Sequence, residues 1–313
     1  MQIKEYLNGI KKNNRAILAQ AITLIESSLY KDKIKAAKLI EHCTTITKES
    51  IRIGISGTPG VGKSTFIEKI GLHLIKKKYK VAVLAIDPSS TISKGSILGD
   101  KTRMQELTNC QAAFIRPSPS LGNLGGVCNS TKDSILLCEA AGYDIIIIET
   151  IGVGQSESMV ESLTDFFLYM TLVQNGDELQ FLKKGVLELS DIIIINKYDQ
   201  NKRKAEIMKL SLEQSLHISN FKKNQKIFTC SALRGLNIDL IWKNIEIMHR
   251  NAKKNGAFHQ KRNEQNLFWL KEILKTEYID LINKKINQII TEFQKKPPKN
   301  PRQEALKIIK KLQ

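Results

Sequence analysis

The 313-residue sequence has few cysteines, few arginines and no long apolar run, and each shortage excludes a class of protein. The five cysteines are an odd number, lie far apart in the chain and form no Cys-x-x-Cys pair. This pattern argues against a disulfide framework and against a zinc site, and it favours a reducing compartment. The cysteines are Cys43, Cys110, Cys128, Cys138 and Cys230.

The apolar runs are too short to cross a membrane. Runs such as residues 145–148 and 192–195 have the length of buried strands, whereas a spanning helix needs about 20 apolar residues. Lys4 and Glu5 stand where a secretory signal peptide would have its apolar core. We therefore expect a cytoplasmic protein with no membrane partner.

The net charge of +18 raises the question of an anionic partner, because basic proteins often bind nucleic acid. Only nine of the 49 basic residues are Arg, however. Residues 201–313 alone contain 25 basic and 10 acidic side chains, without a recognisable nucleic-acid-binding motif. We predict Lys-rich solvated helix faces and no nucleic-acid partner; an acidic patch on a protein partner is the functional alternative.

The spacing of apolar residues predicts an α/β protein with helical extensions at both ends. Residues 1–50 show helical spacing and contain no Pro. From residue 51 onward, short continuous apolar runs alternate with segments long enough for helices, as in parallel strands covered on both faces. We predict a doubly wound, mostly parallel sheet over residues 51–250, with strands at 51–55, 81–86, 145–148, 166–173, 192–195 and 227–230.

Residues 251–313 are predicted to form a C-terminal helical arm. Apolar residues from Leu267 to Phe293 recur mostly three or four apart, which indicates an amphipathic helix of about 28 residues. Pro297 and Pro298 end it, and a short last helix follows. The apolar stripe packs either on the chain's own core or on a second copy in a dimer, and the sequence leaves both open.

Residues 57–64 fit the phosphate-binding pattern G-x-x-x-x-G-K-[ST], between a predicted strand and a helix expected to start near Thr65. Glycines let backbone N–H groups point at phosphate oxygens, and the helix N-terminus adds partial positive charge. Lys63 would neutralise the β- and γ-phosphates, and Ser64 would offer its hydroxyl to Mg²⁺. The predicted nucleoside triphosphate site of this P-loop NTPase is Gly57, Thr58, Pro59, Gly60, Val61, Gly62, Lys63, Ser64 and Thr65.

A second pattern indicates the base. Asn196, Lys197 and Asp199 fit Asn-Lys-x-Asp, in which the carboxylate accepts hydrogen bonds from the guanine N1–H and N2 amino group. Adenine lacks this pair of donors, so discrimination of order 10⁴ follows from hydrogen bonding alone. After the next predicted strand, a segment is similar to the Ser-Ala-x loop that backs the base in GTPases: Ser231, Ala232 and Leu233.

Two acidic residues, Asp87 and Glu149, end predicted strands where ligands of open α/β sheets bind. With Ser64 they offer hard oxygens to Mg²⁺, although an acid at a strand end can also cap a helix. We predict catalytic roles for Lys63, Asp87 and Glu149. Val153 stands where Ras carries its water-orienting Gln, so we expect slow intrinsic hydrolysis, near the roughly 10⁻⁴ s⁻¹ of unassisted Ras.

Several longer segments, in order, resemble one family. Together they are similar to the methylmalonyl-CoA mutase-associated GTPases of MeaB/ArgK type over nearly all of residues 51–235, and less so over the flanking helices. Beside residues 57–65, the segments are Ala-Ile-Asp-Pro-Ser-Ser-Thr at 85–91, Gly-Ser-Ile-Leu-Gly-Asp-Lys-Thr-Arg-Met at 95–104, Ile-Arg-Pro-Ser-Pro at 115–119, Glu-Thr-Ile-Gly-Val-Gly-Gln-Ser-Glu at 149–157 and Gly-Asp-Glu-Leu-Gln at 176–180.

The resemblance implies a GTPase chaperone that binds an adenosylcobalamin-dependent mutase, gates the loading of its cofactor and protects it. It implies GTP and GDP as ligands, hydrolysis stimulated by the partner, and a homodimer formed through the C-terminal helices. It also implies an Mg²⁺ site made by Ser64, Asp87, Asp100 and Glu149, of which Asp100 comes from the resemblance alone. Residues 174–184 are similar to a switch loop that faces the mutase.

The sequence departs from the family at two places. Tyr198 stands where the family usually has Ala, and Gln174-Asn175 replaces a Gly/Ala pair, which puts the coupling to the partner in doubt. A GTPase that matures the metal centre of another enzyme is the alternative function. The five scattered His residues and the lack of a Cys pair count against it.

Overall fold

The computed structural model describes residues 1–27, 29–87, 104–119, 124–150, 156–173, 184–218, 225–293 and 297–312. The chain divides into two compact units, Met1–Gln265 and Asn266–Gln313. Within the described ranges, no helix combines the length and apolarity that a bilayer crossing requires.

Three helices precede the sheet, as the helical spacing of residues 1–50 predicts. The side-chain oxygen of Asn14 caps the second helix by accepting hydrogen bonds from the backbone N–H groups of Ala16 and Ile17. The buried faces of these helices pack on one another and on the helix that precedes β4. The three are α1 (Ile3–Lys11), α2 (Arg15–Glu26) and α3 (Tyr30–Thr44).

Seven strands form one sheet in the order β3-β2-β4-β1-β5-β6-β7, and all described pairings are parallel. Every strand therefore ends at one edge of the sheet, here called the carboxyl edge, and begins at the opposite amino edge. This confirms the predicted doubly wound α/β class. The strands are β1 (Ile51–Gly57), β2 (Val81–Asp87), β3 (Ala113–Pro119), β4 (Ile145–Thr150), β5 (Phe166–Leu172), β6 (Ile192–Asn196) and β7 (Lys226–Thr229).

Helices connect successive strands and cover both faces of the sheet. On one face, Ile53 and Ile55 of β1 belong to the same buried cluster as Phe66 and Ile70 of α4. The described helices that lie between the strands or follow the last strand are α4 (Lys63–Lys76), α5 (Gln105–Asn109), α6 (Leu124–Ala140), α7 (Ser156–Glu161), α8 (Lys184–Leu189), α9 (Lys202–Ile218) and α10 (Ile238–Lys254).

On the other face, the central strand β1 has no side chain at Gly54, and α7 packs closely against the backbone there. A Cβ added to Gly54 would lie 2.7 Å from Cγ1 of Val160 and 3.0 Å from Oγ1 of Thr164. Since real Cβ atoms do not approach other heavy atoms so closely, the glycine is required by the packing of α7.

Strand β3 is missing from the predicted set of strands. Its sequence ends in Pro117-Ser118-Pro119, and proline cannot donate to a strand ladder. The structure accommodates both prolines because β3 is the edge strand and pairs only with β2 among the described strands. Arg116 of β3 donates a hydrogen bond to the carboxylate of Glu26 on α2 at 2.6 Å. This contact links the outermost strand of the sheet to the N-terminal helices.

The amino edge is closed by a group of polar side chains that we call the amino-edge cluster: Ser50, Arg52, Glu139, Asp165 and Arg262. Both carboxylate oxygens of Glu139 accept hydrogen bonds from the Arg52 guanidinium, at 2.8 and 2.9 Å. Both oxygens of Asp165 accept from Arg262, at 2.9 and 2.8 Å. Such paired contacts match the planar fork of arginine to a carboxylate.

The two pairs are joined into one network. The Ser50 hydroxyl donates to Glu139 at 2.7 Å, the Ser50 carbonyl accepts from Arg262 at 2.7 Å, and Asp165 also accepts from the backbone N–H of Arg52 at 2.8 Å. The guanidinium of Arg262 lies 4.4 Å from the ring centroid of Phe258. The cluster therefore joins the starts of two strands to α6 and to the C-terminal helix.

The C-terminal helix is longer than predicted. It spans Ala257–Phe293 (α11, 37 residues), because helical structure begins directly after Gly256, which has a φ of +78°. The prediction of about 28 residues counted only the apolar stripe from Leu267, whereas the first turns, apart from Ala257 and Phe258, consist of polar residues. A last helix, α12, spans Pro301–Leu312.

Candidate functional site

The phosphate-binding loop connects β1 to α4 at the carboxyl edge. Helix α4 begins at Lys63, two residues earlier than the expected start near Thr65. Gly62 has a φ of +94°, and a Cβ there would lie 2.7 Å from Nδ2 of Asn196. Gly57 likewise faces the carbonyl of Met170, 2.3 Å from a Cβ position. Both positions therefore require glycine for the loop to curl against its neighbours.

The ammonium group of Lys63 is held by the loop itself. Its Nζ donates to the carbonyl oxygens of Gly57 at 2.7 Å and Thr58 at 3.4 Å, and the side chain is buried. Val61 is fully buried beneath the loop, whereas Pro59 and Gly60 are exposed. The loop thus combines a fixed cation with backbone groups at the solvent side, an arrangement that suits a chain of phosphates.

Ser64 and Glu149 meet at the start of α4. The Ser64 hydroxyl donates to Oε1 of Glu149 at 3.3 Å, and Glu149 is 3% exposed at the end of β4. Glu149 faces α4 because its register partner is Ile55, whose side chain lies in the α4 layer. A hydroxyl beside a carboxylate is a set of hard oxygen ligands, and the two residues fit an Mg²⁺ ion.

The other two predicted metal ligands are described less fully. Asp87 is the last residue of β2, so its backbone lies at the carboxyl edge, but its side chain is outside the described part of the structure. Asp100 lies outside the described residues. Among the described residues, no group of three or more His, Cys, Asp or Glu side chains could hold a metal ion.

Asn196 connects three loops of the site. Its Nδ2 donates to the carbonyl of Val61 at 2.7 Å, and its Oδ1 accepts from the backbone N–H of Ala232 at 2.9 Å. Asn196 is 2% exposed, so both bonds are shielded from water. The phosphate loop and the predicted base-binding segments are therefore one connected structure, a contact that the sequence pattern alone does not reveal.

The two predicted base-binding segments are adjacent. The backbone N–H of Tyr198 donates to the carbonyl of Cys230 at 2.9 Å, and Lys197 adopts a φ of +60°. Burial, and next the charge of Asp199, raises the pKa of the Cys230 thiol to about 12. Ser231 and Ala232 are buried, whereas Asp199 and Leu233 are exposed.

A pocket lies at this base loop, and two of its lining residues, Asn196 and Lys197, are predicted base-binding residues. The others come from the end of β5 and from the residues that directly follow Asp199 in the chain, and the sequence analysis did not predict them. Its lining residues are Leu172, Val173, Asn196, Lys197, Gln200, Asn201 and Lys204.

Comparison with known proteins places this site in a family. The family described as methylmalonyl Co-A mutase-associated GTPase MeaB matches residues 18–287. The chain belongs to the MeaB family. The GTPase ArgK of Escherichia coli is 42% identical over 282 residues, which cover 89% of this chain and 85% of that protein. The mitochondrial methylmalonic aciduria type A homolog of Mus musculus is 38% identical over 286 residues, covering 87% and 69%.

A solved structure of the same fold agrees with this membership. The crystal structure of a LAO/AO transport system kinase has a TM-score of 0.76 and 32% sequence identity, and the match covers 99% of this chain and 97% of that one. The MeaB-family resemblance noted from the sequence segments is therefore confirmed. The chain is a P-loop protein whose relatives include proteins named as GTPases.

Proposed function

We propose that this MeaB-family chain binds GTP and hydrolyses it to GDP and phosphate. The observation that carries the proposal is Asn196, which joins the phosphate loop to the base-binding segments through two buried hydrogen bonds. Because Asn196 links the two segments, the phosphates on the P-loop and the base on the base-binding segments can belong to a single bound nucleotide. The carboxylate of Asp199 then selects guanine, because adenine cannot donate the matching pair of hydrogen bonds.

In the proposed reaction, a water oxygen attacks the γ-phosphorus, the bond from that phosphorus to the β–γ bridging oxygen breaks, and a proton of the water passes to an oxygen of the released phosphate. The ammonium of Lys63 shifts from the carbonyl of Gly57 to the phosphate oxygens and stabilises the charge that collects on the leaving GDP. Mg²⁺, when bound, neutralises further phosphate charge. Ser64 and Glu149 would hold it, together with Asp87 and Asp100.

We propose slow hydrolysis in the absence of a partner. The residue after Gly152 is Val153, whose apolar side chain cannot accept a hydrogen bond from the attacking water. Faster hydrolysis then depends on a partner protein, as in GTPases to which a second protein supplies a residue that stabilises the transition state.

The proposed partner is an adenosylcobalamin-dependent acyl-CoA mutase of the methylmalonyl-CoA mutase type. The support is the family description, which names mutase association, and the name of the mouse relative, which refers to methylmalonic aciduria. The proposed role is that of a cytoplasmic chaperone that regulates cofactor loading and protects the mutase.

We also propose that the chain is a homodimer through its second unit. Large apolar side chains along α11 and α12 are exposed, at 68% for Leu267, 61% for Leu274 and 56% for Leu306. A soluble protein rarely leaves so continuous an apolar stripe without a partner. Light scattering that gives a monomer mass at micromolar concentration would refute the dimer.

Binding and pull-down experiments test the proposal in order. Titration of the purified protein with GDP, GTP, ADP and ATP should show binding of the guanine nucleotides and far weaker binding of the adenine ones. Pull-down with methylmalonyl-CoA mutase should then depend on whether GDP or a non-hydrolysable GTP analogue is present. Equal affinity for ATP and GTP would contradict the base assignment, and absence of mutase binding in every nucleotide state would contradict the partner.

A further inference from the structure

A buried hydrogen bond between two side chains joins β1 to β4 beneath the candidate nucleotide site. The hydroxyl of Thr150 donates to Oγ of Ser56 at 2.9 Å, and both residues are 0% exposed. Successive side chains of a strand point to opposite faces of the sheet. Ile55 and Glu149 face α4, so Ser56 and Thr150, one residue further along each strand, lie on the opposite face. The bond is therefore on the side of the sheet away from α4.

The bond lies where the two strands turn to different neighbours. The described register of β1 with β4 runs as far as Ile55 and Glu149. From there β1 stays paired with β5 up to Gly57, whereas β4 stays paired with β2 up to Thr150. The chain leaves β1 for β2 beyond β4, and it leaves β4 for β5 beyond β1, which makes the crevice where open α/β sheets bind ligands. The bond from Thr150 to Ser56 extends the connection of β1 with β4 by one residue at this crevice.

Each end of the bond is one residue away from a group of the candidate site. The residue after Ser56 is Gly57, whose carbonyl oxygen accepts from the Lys63 ammonium at 2.7 Å. The residue before Thr150 is Glu149, which accepts from the serine hydroxyl at the start of α4 at 3.3 Å. The distance between the cation of the phosphate loop and the proposed metal ligand therefore depends on the relative position of two strand ends, and the bond fixes that position.

We propose that Ser56 and Thr150 are positioning residues for GTP hydrolysis, because their hydrogen bond holds the phosphate loop in place relative to the strand end that carries Glu149. The inference rests on the proposed GTPase function. Apolar side chains of similar size would fill this buried place without the desolvation that two hydroxyl groups require. A hydrogen bond has a preferred distance and direction, so it restricts two strand ends more narrowly than apolar contact does. The pair acts through the backbone on the neighbouring residues that bind phosphate and metal.

The first test removes the donor of the bond. Thr150→Val keeps the shape of the side chain without its hydroxyl, and kcat for GTP should fall about tenfold or more at nearly unchanged KM, since displacement of reacting groups by about 1 Å can cost about 100-fold. Thr150→Ser keeps the hydroxyl and should restore kcat. Thr164→Val is the matched control, because Thr164 is also 0% exposed but donates to the carbonyl of Val160 at 2.9 Å, near the amino edge. The control should keep the kcat of the wild type.

A double variant distinguishes positioning from stability. Thr150→Val or Ser56→Ala alone leaves one buried hydroxyl without its partner and should lower the melting temperature. The two substitutions together remove both hydroxyl groups, so the melting temperature should recover toward that of the wild type while kcat stays low. Their single effects on kcat should not add, since both remove the same bond. Calorimetry supplies a readout without hydrolysis: the gain in GDP affinity on adding Mg²⁺ should shrink in the double variant, because Glu149 is no longer held beside Ser64.

The outcomes separate the inference from the function on which it rests. Wild-type protein that does not hydrolyse GTP would refute the proposed function, and the effect of Mg²⁺ on GDP affinity would still test the hydroxyl pair. If the wild type and the double variant hydrolyse GTP at the same rate, the inference alone is refuted. Recovery of kcat together with the melting temperature in the double variant gives this result, since the pair then affects only folding. A loss of kcat in Thr164→Val as large as that in Thr150→Val would also overturn the inference, because any buried hydroxyl would then have the effect.

Discussion

The two edges of the sheet are made by the same seven strands, yet they hold their charged side chains in opposite ways. At the amino edge, each guanidinium of the amino-edge cluster meets a carboxylate through two short hydrogen bonds. At the carboxyl edge, Lys63 is bound to loop carbonyls and Glu149 to a hydroxyl. A ligand can replace a carbonyl or hydroxyl contact at low cost, whereas separating a buried arginine–carboxylate pair costs a large part of the folding free energy.

The difference separates stability from function along the strands. Polar groups at the amino edge are satisfied within the fold, so we expect changes there to alter the free energy of unfolding. Groups at the carboxyl edge are held by carbonyl and hydroxyl contacts that the proposed nucleotide can replace, so changes there should alter binding and turnover. Four predictions test this division, beginning with the largest expected effect.

Lys63→Ala should reduce kcat for GTP by about 100-fold or more, because one preorganised donor to a developing charge contributes at that level. The melting temperature without nucleotide should change little. Lys76→Ala, at the exposed last residue of the same helix, is the control and should behave as wild type in both measurements. A large fall in melting temperature for Lys63→Ala would contradict the division.

Asp199→Asn should weaken GDP binding by at least about 100-fold, since sites that hydrogen-bond a substrate group discriminate by up to about 10⁴–10⁵. Calorimetry with GDP and xanthosine diphosphate measures the effect, and the ratio of the two affinities should fall. Asp239→Asn, an exposed carboxylate at the start of α10, is the control. Selectivity for GDP that survives the Asp199 substitution would show that another group reads the base.

Arg262→Met should lower the free energy of unfolding by about 3 kcal/mol, because it leaves the carboxylate of Asp165 buried without its guanidinium. Urea unfolding measures the loss, and GDP affinity should match the wild type. Arg250→Met replaces an exposed arginine on α10 and should cost far less. If Arg262→Met instead weakened GDP binding at unchanged stability, the two edges would be coupled.

The smallest effect concerns pH at the amino edge. His249 packs against Phe166 and Phe258, and burial, followed by the charge of Lys253, lowers its pKa. His249 therefore binds a proton more readily in the unfolded chain than in the folded protein. Its contribution to the free energy of unfolding is fully present above about pH 6.5 and is lost as the pH falls through the lowered pKa of the folded state. His249→Phe should flatten this part of the profile in urea unfolding, and exposed His42→Gln should not.

The strand, loop and helix around residues 57–64 could be predicted from the sequence because the residues are contiguous and their backbone geometry is local. The positions of Asn196 and Ser231 just after two strands could likewise be predicted, while their role in binding the base stays a prediction. The link between them could not, because the amide of Asn196 meets a carbonyl 135 residues away. Hydrogen bonds between distant segments depend on the packed sheet, which a linear pattern does not contain.

The amino-edge cluster was missed for the same reason. Arg262 stands 97 residues from Asp165, on a part of α11 that precedes the predicted apolar stripe, and no local pattern indicates its partner. Strand β3 was missed because proline is unfavourable in strands. The prolines are tolerated because β3 is the outermost strand, a position that the sequence does not reveal.

In the proposed GTP complex, the two buried hydrogen bonds of Asn196 would let the nucleotide bind as a two-part ligand, with its phosphates and its base held by connected segments. Once the phosphates are seated, the connection through Val61 and Ala232 holds the base-reading carboxylate at a fixed distance, so guanine meets it at a high effective concentration. Guanosine alone and pyrophosphate alone should each bind weakly, and the affinity of GDP should far exceed the product of their binding constants. On the proposed function, one asparagine side chain would thus join two weak sites into a single tight one.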